Sequence, residues 1–263
     1  ILHVEEVDMY FLKYEGNDEI ELSSLLISSG SIFLFAHGSI IKVAKSEPIF
    51  YSDVITKFLD DYDIPQISFN VENLHFKFPN GHLGLRNINI SEGPGKLLGI
   101  MGASGAGKTT LLNTLAGLTP PTDGTIKING NDIFKQKENI DGVIGYIAQD
   151  DILVEELTVY ENLYFAAKLS LNNLSEEEID KRVLKVLDQL GLLERKELKV
   201  GSVLDKTISG GQRKRLNIAL ELIREPDVLF VDEPTSGLSS RDSENVMDLL
   251  KELTLKGKLI FVV

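Results

Sequence analysis

The sequence predicts an α/β fold built on a parallel sheet and preceded by a small β-rich domain. From about residue 67 onwards, apolar strand-like runs alternate with helical patterns, which is typical of proteins with a parallel sheet. The first 67 residues instead hold twelve Asp and Glu against four Lys, and they read as short strands without a constellation of catalytic residues. We therefore expect an acidic β-rich accessory domain of unknown role over residues 1–66, a boundary near Ile64-Pro65, and a second domain over residues 67–263.

Composition excludes several classes of protein. The 263 residues include no cysteine, which rules out a disulfide scaffold, a thiolate metal site and a cysteine nucleophile. A formal net charge of −13 argues against a broad binding surface for nucleic acid. No apolar run approaches the ~18–20 residues that cross a bilayer. Because no signal-peptide pattern follows Ile1, we expect an internal piece of a longer protein, cut at both ends; a processed N-terminus is the alternative.

The elements follow in order from apolar runs and the turn residues that flank them. In the first domain we expect strands at residues 7–14, 19–27, 31–35 and 40–44, a turn at His37-Gly38 and a short helical turn at 54–59. In the second, Asn129-Gly130 predicts a hairpin turn, and Ser175 with Glu178 predicts a capping box that opens a helix closed by Gly191. The other expected elements are strands at 96–101, 125–128, 143–148, 228–231 and 258–263 and helices at 108–118 and 244–256.

A glycine-rich loop before the helix at 108–118 carries the strongest chemical signal. Residues 102–110 read GASGAGKTT and satisfy the phosphate-loop pattern G-x-x-x-x-G-K-[ST]. A polyphosphate needs several backbone N–H groups at once, and glycines let the chain curl that tightly without Cβ clashes. Lys108 supplies an ammonium for the β- and γ-phosphates, and Thr109 offers a hydroxyl to Mg²⁺. A chance glycine-rich turn is the alternative, which the flanking strand and helix disfavour.

An acidic pair ends the strand at 228–231. Asp232 is expected at the carboxyl edge of the sheet, where open α/β sheets bind ligands, and would contact the magnesium shell. Glu233 follows it and is placed to take a proton from an attacking water. Two adjacent acids could instead belong to a solvated loop.

A phosphate loop and a metal-binding acid are common to many nucleotide-binding proteins. Residues 208–215, ISGGQRKR, indicate a more specific family. Ser209 is a good N-cap for the helix that follows, and Gly210 and Gly211 leave its first N–H groups bare, although the same residues could be a mere helix cap. With the preceding motifs they resemble the signature of the ATP-binding cassette (ABC) family, and the resemblance covers about residues 67–263. It implies a P-loop NTPase fold with a RecA-like parallel sheet core, an antiparallel β subdomain and an α-helical signature subdomain.

The resemblance also implies a working pair of copies. Two ATP molecules would lie between two cassettes that meet head to tail. The signature residues Ser209, Gly211 and Gln212 of one copy would then face Lys108 and Glu233 of the other.

Further site residues are carried over from the family. Gln149, in YIAQDD, resembles the glutamine that reaches Mg²⁺ or the attacking water and couples the site to a membrane partner; otherwise it is a surface residue. Phe78, in HFKFPNG, resembles the aromatic that stacks on adenine, with Phe76 or a plain core role as alternatives. The implied catalytic residues are Glu233, Gln149 and Lys108; the nucleotide-binding residues are Gly102, Ala103, Ser104, Gly105, Ala106, Gly107, Lys108, Thr109, Thr110, Phe78, Ser209, Gly210, Gly211 and Gln212; the metal-binding residues are Thr109, Gln149 and Asp232.

Two departures from the family pattern matter. Residues 233–242, EPTSGLSSRD, resemble the loop that crosses the dimer, but Ser239 stands where Asp is usual, so we expect altered communication between copies or altered hydrolysis. The switch histidine expected soon after the strand at 258–263 is not present, because the chain ends first. We therefore expect this stretch of chain to bind ATP and to hydrolyse it poorly.

Residues 155–169 and 209–223 resemble subfamily G, the white/eye-pigment branch, although 155–169 also fits an ordinary acidic helix. In that branch the nucleotide domain precedes the membrane domain, so transmembrane helices are expected beyond Val263. The nucleotide domain itself is expected at the cytoplasmic face of the cell membrane. The implied function is the ATP-hydrolysing motor of a membrane transporter, with ATP and Mg²⁺ as cofactors and no nucleic-acid partner. The alternatives are a soluble ABC ATPase outside transport and a regulatory nucleotide-binding module without turnover.

Overall fold

The computed structural model of the chain describes residues 1–4, 9–36, 39–43, 46, 48–51, 54, 67–140, 142–202 and 207–263. The chain forms two compact units. The first comprises Ile1–Lys96 and Gly117–Ile140, and the second comprises Leu97–Ala116 and Asp141–Val263. The expected boundary at Ile64-Pro65 and the turn at His37-Gly38 lie outside the described residues, as does the helical turn at 54–59 except for Val54. The division at residue 66 stays a prediction.

The first unit begins with two antiparallel sheets. Their strands are β1 Leu2–Val4, β2 Met9–Lys13, β3 Ile20–Leu22, β4 Leu25–Ile27, β5 Ile32–Leu34, β6 Ile40–Val43 and β7 Ile49–Phe50. Among the described residues the strand orders are β1-β2-β5 and β4-β3-β6-β7. The expected run 19–27 is two strands rather than one, because Ser23 and Ser24 have φ of 50° and 72° and form a hairpin turn between β3 and β4. A separate core packs beneath these strands and contains Tyr10, Leu12, Ile20, Leu22, Ile27, Phe35, Ile41 and Tyr51.

A third antiparallel sheet completes the first unit. It consists of β8 Phe69–Lys77, β9 Leu83–Glu92, β11 Asp123–Ile128 and β12 Asn131–Asp132, in the order β12-β11-β8-β9, followed by a 3₁₀ turn at Lys137–Ile140. The predicted hairpin is confirmed, since Asn129 and Gly130 have φ of 50° and 79° and join β11 to β12.

The second unit is built on a parallel sheet, as predicted. Its strands are β10 Leu97–Gly99, β13 Ile144–Ile147, β14 Val228–Val231 and β15 Leu259–Val262, in the order β10-β15-β14-β13. Strand β14 is fully buried, and Phe230 stacks on Phe261 of β15 with ring centroids 5.0 Å apart. Burial on both faces explains why β14 and β15 are uninterrupted apolar runs. Because all four strands run parallel, the carboxyl ends of β10 and β14 lie at the same edge of the sheet.

Helices cover this sheet and form the rest of the second unit. They are α1 Lys108–Leu115, α2 Val159–Ser170, α3 Glu176–Gln189, α4 Gly210–Leu222 and α5 Ser240–Leu255, with a 3₁₀ turn at Leu193–Arg195. The predicted capping box of Ser175 and Glu178 is confirmed, and Thr158 with Glu161 forms another at the start of α2. Helix α1 ends earlier than predicted, at a C-cap followed by Gly117 with φ of 77°. Helix α5 starts earlier than predicted because Ser239 caps it.

One apolar core joins α2–α5 to the parallel sheet. Its fully buried members include Val159, Leu163, Val183, Leu187, Leu216, Ile218, Leu229, Val231, Val246, Leu250 and Ile260. Within the described part of the chain, no helix is both long enough and apolar enough to span a membrane.

Candidate nucleotide site

The glycine-rich loop leads from β10 into the N-terminus of α1, as the motif requires. Gly107 is the N-cap of α1 and has φ of 92°, a left-handed conformation that favours glycine. It offers no side chain to the first-turn amides, and that turn carries no acidic residue. The positive end of the helix dipole is thus available to an anion, with neither a capping oxygen nor a first-turn carboxylate in competition.

Lys108 is folded over this loop. Its Nζ donates to the backbone oxygens of Gly102 at 3.0 Å and Ala103 at 3.1 Å. These bonds hold the ammonium at the loop itself, within the region where the motif binds phosphate.

Asp232, at the end of β14, has the properties of a metal ligand. Its side chain is buried, and Oδ1 has no hydrogen-bond partner among the described residues. Burial raises the pKa of Asp232, the neighbouring Glu233 carboxylate raises it further, and the Tyr146, Lys214 and Thr109 side chains oppose the shift. A buried carboxylate oxygen without a donor is a costly arrangement that a cation would relieve.

The oxygen atoms of Asp232 and Thr109 fit magnesium as ligands. Thr109 lies close enough to Asp232 to lower the pKa of its carboxyl group. The described residues contain no cluster of three or more His, Asp or Glu that could enclose a metal ion on its own. One carboxylate and one hydroxyl, with the remaining positions left to water and phosphate, is the ligand set that Mg²⁺ commonly takes at nucleotide sites.

Glu233 and Gln149 meet beside this carboxylate. Gln149 Nε2 donates to Glu233 Oε2 at 2.9 Å. Glu233 is exposed and has φ of 42°, an uncommon conformation for a residue with a side chain. Strained backbone of this kind concentrates at functional sites. The structure thus places Lys108, Thr109, Gln149, Asp232 and Glu233 in one unit. These residues come from three segments that are far apart in the sequence.

Tyr146 is a neighbour of the site that the sequence analysis missed. Its hydroxyl donates to Asn113 Oδ1 of α1 at 2.8 Å and lies 3.5 Å from Asp232 Oδ2. Burial and the Asp232 charge raise the pKa of Tyr146 to about 12, so the hydroxyl keeps its proton. The residue therefore links the helix of the phosphate loop to the acid at the end of β14. A tyrosine within the apolar run at 143–148 was the available signal.

The signature segment opens α4 with a reciprocal capping box. Ser209 Oγ accepts from the Gln212 N–H at 3.2 Å, while Gln212 Oε1 accepts from the Ser209 N–H at 2.8 Å. The predicted helix start is confirmed, and the Gln212 side chain is turned back onto it. Gly211 packs closely on α5, since a Cβ there would lie 2.3 Å from Asp242 Oδ1. Opposite it, Ser239 Oγ donates to Asp242 Oδ2 at 2.8 Å.

Phe78 belongs to the first unit, just after β8. Its ring packs edge-on against Phe76 with centroids 5.1 Å apart, and 36% of its surface is exposed. Gly84 lies beneath it, because a Cβ at that position would lie 2.8 Å from Phe78 Cε2. An exposed aromatic face is compatible with stacking on a base, and its role stays a prediction.

Comparisons with known proteins agree with this geometry. The family model for ABC transporters matches residues 85–236, more than half of the chain. The chain belongs to the ABC transporter family. It is an ABC ATPase domain, homologous to the nucleotide-binding domains of membrane ABC transporters, and ATP is the ligand that this domain binds.

Individual relatives indicate the branch of the family to which the domain is most similar. The chain is 39% identical over 211 residues to a probable ATP-dependent permease of Saccharomyces cerevisiae, covering 77% of this chain and 20% of the permease. It is 36% identical over 250 residues to ABC transporter G family member 28 of Arabidopsis thaliana, covering 90% and 22%. The resemblance to subfamily G is thereby confirmed.

A solved structure shows the same fold. The structure of cbiO1 from Clostridium perfringens, part of the ABC transporter complex cbiONQ, superposes with a TM-score of 0.66 and 32% identity, covering 74% of this chain and 77% of that one. The chain spans about a fifth of the length of the permease and transporter relatives named above. None of these comparisons supports a soluble ABC ATPase outside transport.

Proposed function

We propose that this ABC domain is the ATP-driven motor of a membrane transporter at the cytoplasmic face of the membrane. The observation that carries the proposal is the contact of Gln149 with Glu233 beside Asp232, in the unit that also holds the phosphate loop. A loop for phosphate, a buried acid for a cation and an exposed acid for a proton are the parts that hydrolysis of a nucleoside triphosphate requires.

Each part has a stated task. The first-turn amides of α1 and the Lys108 ammonium bind the β- and γ-phosphates of ATP. Asp232 and Thr109 would hold Mg²⁺, which supplies charge neutralisation at the phosphates when bound. Glu233 accepts a proton from the attacking water, and the Gln149 amide orients the Glu233 carboxylate. General-base catalysis of this kind contributes about 10²–10⁴-fold to the rate.

The second half of the site comes from another copy of the domain. The start of α4 is a helix N-terminus with no acidic residue in its first turn, so its positive dipole end suits a γ-phosphate, and Ser209 and Gln212 cap it. Two copies would each present their α4 N-terminus to the nucleotide of the other. Hydrolysis removes the bridging contacts, so the paired state is favoured only while the triphosphate is intact.

A membrane domain is the proposed mechanical partner, fused on the C-terminal side as in the branch the sequence resembles. Four large apolar side chains near Gln149 and on α2 are 47–80% exposed: Ile152, Val154, Phe165 and Leu169. Asn162 joins the two segments, because its side chain bonds the N–H and the C=O of Val154 at 2.8 and 3.0 Å. Exposed apolar side chains on two segments that Asn162 ties together suit a docked helix of the membrane domain.

The dimer is tested by complementation in the full-length protein. Lys108→Ala removes the phosphate cation, and Ser209→Asp keeps an N-cap oxygen while adding a negative charge opposite the γ-phosphate. Either variant alone has no intact composite site. A mixed dimer has one intact site, formed by Lys108 of one copy and Ser209 of the other, and therefore regains nucleotide trapping.

Glu233→Gln tests the chemistry. It preserves the Gln149 contact geometry but removes the base, so turnover falls by at least about 100-fold while ATP binding persists and the closed pair accumulates. Mixed dimers no better than either parent, or a Glu233→Gln protein with near-normal turnover, would overturn the proposal.

A further inference from the structure

Two buried cations lie in the second half of the signature segment 208–215, and the proposed mechanism does not use them. Arg213 and Lys214 lie in α4 with only 5% and 8% of their surface exposed. A buried charge is costly unless it is paired or hydrogen-bonded, so the partners of each cation must compensate for its loss of hydration. Both turn away from solvent toward the segment that contains Gln149.

Arg213 binds this segment through hydrogen bonds from the fork of its guanidinium group. Nε and Nη2 donate to the two carboxylate oxygens of Asp151 at 2.9 and 3.1 Å, and Nη1 donates to the Gly201 carbonyl at 2.6 Å. A bidentate pair fixes the angle between its partners as well as their distance. Asp151, two residues after Gln149, is therefore held in one orientation relative to α4.

Lys214 fixes the same segment by its backbone. Its Nζ donates to the carbonyl oxygens of Ala148 at 3.0 Å and Gln149 at 3.1 Å. The pKa of Lys214 is lowered by burial, while the carboxylates of Asp232 and Asp151 oppose that shift. The ammonium thus bridges two successive carbonyls in the acidic surroundings of the site.

The Gln149 side chain then leaves this clamped backbone toward the base, donating to Glu233 at 2.9 Å. We propose that Arg213 and Lys214 are positioning residues, which fasten residues 148–151 to the signature helix and thereby set the position of Gln149 against Glu233. The inference rests on the proposed role of Glu233 as the base. It follows that a displacement of α4, whose N-terminus faces the nucleotide of the other copy, reaches the base of its own copy through this clamp.

The test compares substitutions that loosen the clamp and leave the phosphate loop intact. Arg213→Lys keeps the charge but loses the fork, Asp151→Asn removes the fork's partner, and Lys214→Met removes the bridge between carbonyls. Arg182→Lys is the matched control: Arg182 donates to the Ile223 carbonyl at 2.8 Å and pairs with Glu225 at 3.1 Å, so it secures the other end of α4.

Five quantities are measured on the full-length protein: kcat for ATP, KM for ATP, affinity for a fluorescent ATP analogue, melting temperature, and hydrogen exchange of the amides at 148–151. We expect each clamp variant to lower kcat by about 10-fold or more, because small displacements of a catalytic group are costly. KM and analogue affinity should stay within about 3-fold, since the α1 site is untouched. Exchange at 148–151 should accelerate. Arg182→Lys should lower the melting temperature without changing kcat or this exchange.

A double variant, Arg213→Lys with Asp151→Asn, should lose no more activity than either single one, because both break the same pair. Additive losses or an unchanged kcat in the clamp variants would overturn the clamp. A kcat that falls in proportion to melting temperature in the clamp variants and in Arg182→Lys alike would also overturn it. Exchange at 148–151 does not depend on ATP turnover. If Glu233→Gln leaves turnover intact while the clamp variants still accelerate exchange, the role of Glu233 fails and the fastening of the segment stands.

Discussion

Gly211 is the position in the signature segment where added volume has the most definite consequence. A Cβ there would lie 2.3 Å from Asp242 Oδ1, 2.6 Å from Cγ and 2.9 Å from Cβ. Rotating the Asp242 carboxylate away would relieve the first two contacts, but it would break the bond from Ser239 Oγ at 2.8 Å. The third contact involves the Asp242 Cβ, which no rotation moves, so α4 and α5 must separate slightly.

The magnitude follows from these contacts. Overpacking of a tight site costs about 1–3 kcal/mol. The lost neutral-to-charged hydrogen bond adds up to about 1.5 kcal/mol, and the higher helix propensity of alanine returns up to about 1 kcal/mol. Gly211→Ala should therefore destabilise the protein by about 1–3 kcal/mol, or roughly 2–4 °C in melting temperature per kcal/mol for a chain of this size.

Thermal unfolding of four proteins measures this: wild type, Gly211→Ala, Asp242→Ala and the double variant. Asp242→Ala removes the two atoms in closest conflict, so Gly211→Ala should cost less in that background than alone. If the two effects simply add, the crowding at Asp242 is not the cause and the reasoning is refuted.

Three other substitutions probe the frame around the site. Phe230→Ala should lower the free energy of unfolding in urea by about 3–5 kcal/mol, because the ring is fully buried against Phe261. A loss below about 1 kcal/mol would contradict this. Burial raises the pKa of Glu221, whose Oε2 accepts from the Tyr146 N–H. The stability that its neutral form provides is present at low pH and lost as pH rises through the raised pKa, so Glu221→Gln should be more stable than wild type at pH 7.5 and equal to it well below pH 4, the ordinary carboxyl pKa being about 4.3. Circular-dichroism melts across this range would show a difference that does not grow with pH if the explanation is wrong. Thr158→Ala should cost about 1 kcal/mol by loss of the α2 cap, with Thr158→Ser as the conservative control.

Local features of the fold were predictable because their partners are close in sequence. The capping box of Ser175 and Glu178 and the Asn129-Gly130 turn each involve a few consecutive residues, and both are confirmed. The strand at 228–231 was predicted at its full length because burial on both faces makes it a continuous apolar run.

The support of the site could not be predicted in this way. Tyr146 and Asn113 are 33 residues apart, Arg213 and Asp151 are 62 apart, and Lys214 and Ala148 are 66 apart. The charges of the segment QRKR do not reveal from sequence which side chains turn inward. In the fold Arg213 and Lys214 are buried and Arg215 is half-buried. Only the packing of α4 beside the end of β13 decides which cations are buried.

The left-handed backbone at Glu233 sets stability against chemistry at a single position. Glycine or asparagine tolerates φ of 42° with less strain than glutamate, so either replacement relaxes the main chain while removing the carboxylate. Selection of this protein for heat resistance alone would therefore enrich inactive molecules at residue 233, and thermostabilised versions need an activity screen run alongside.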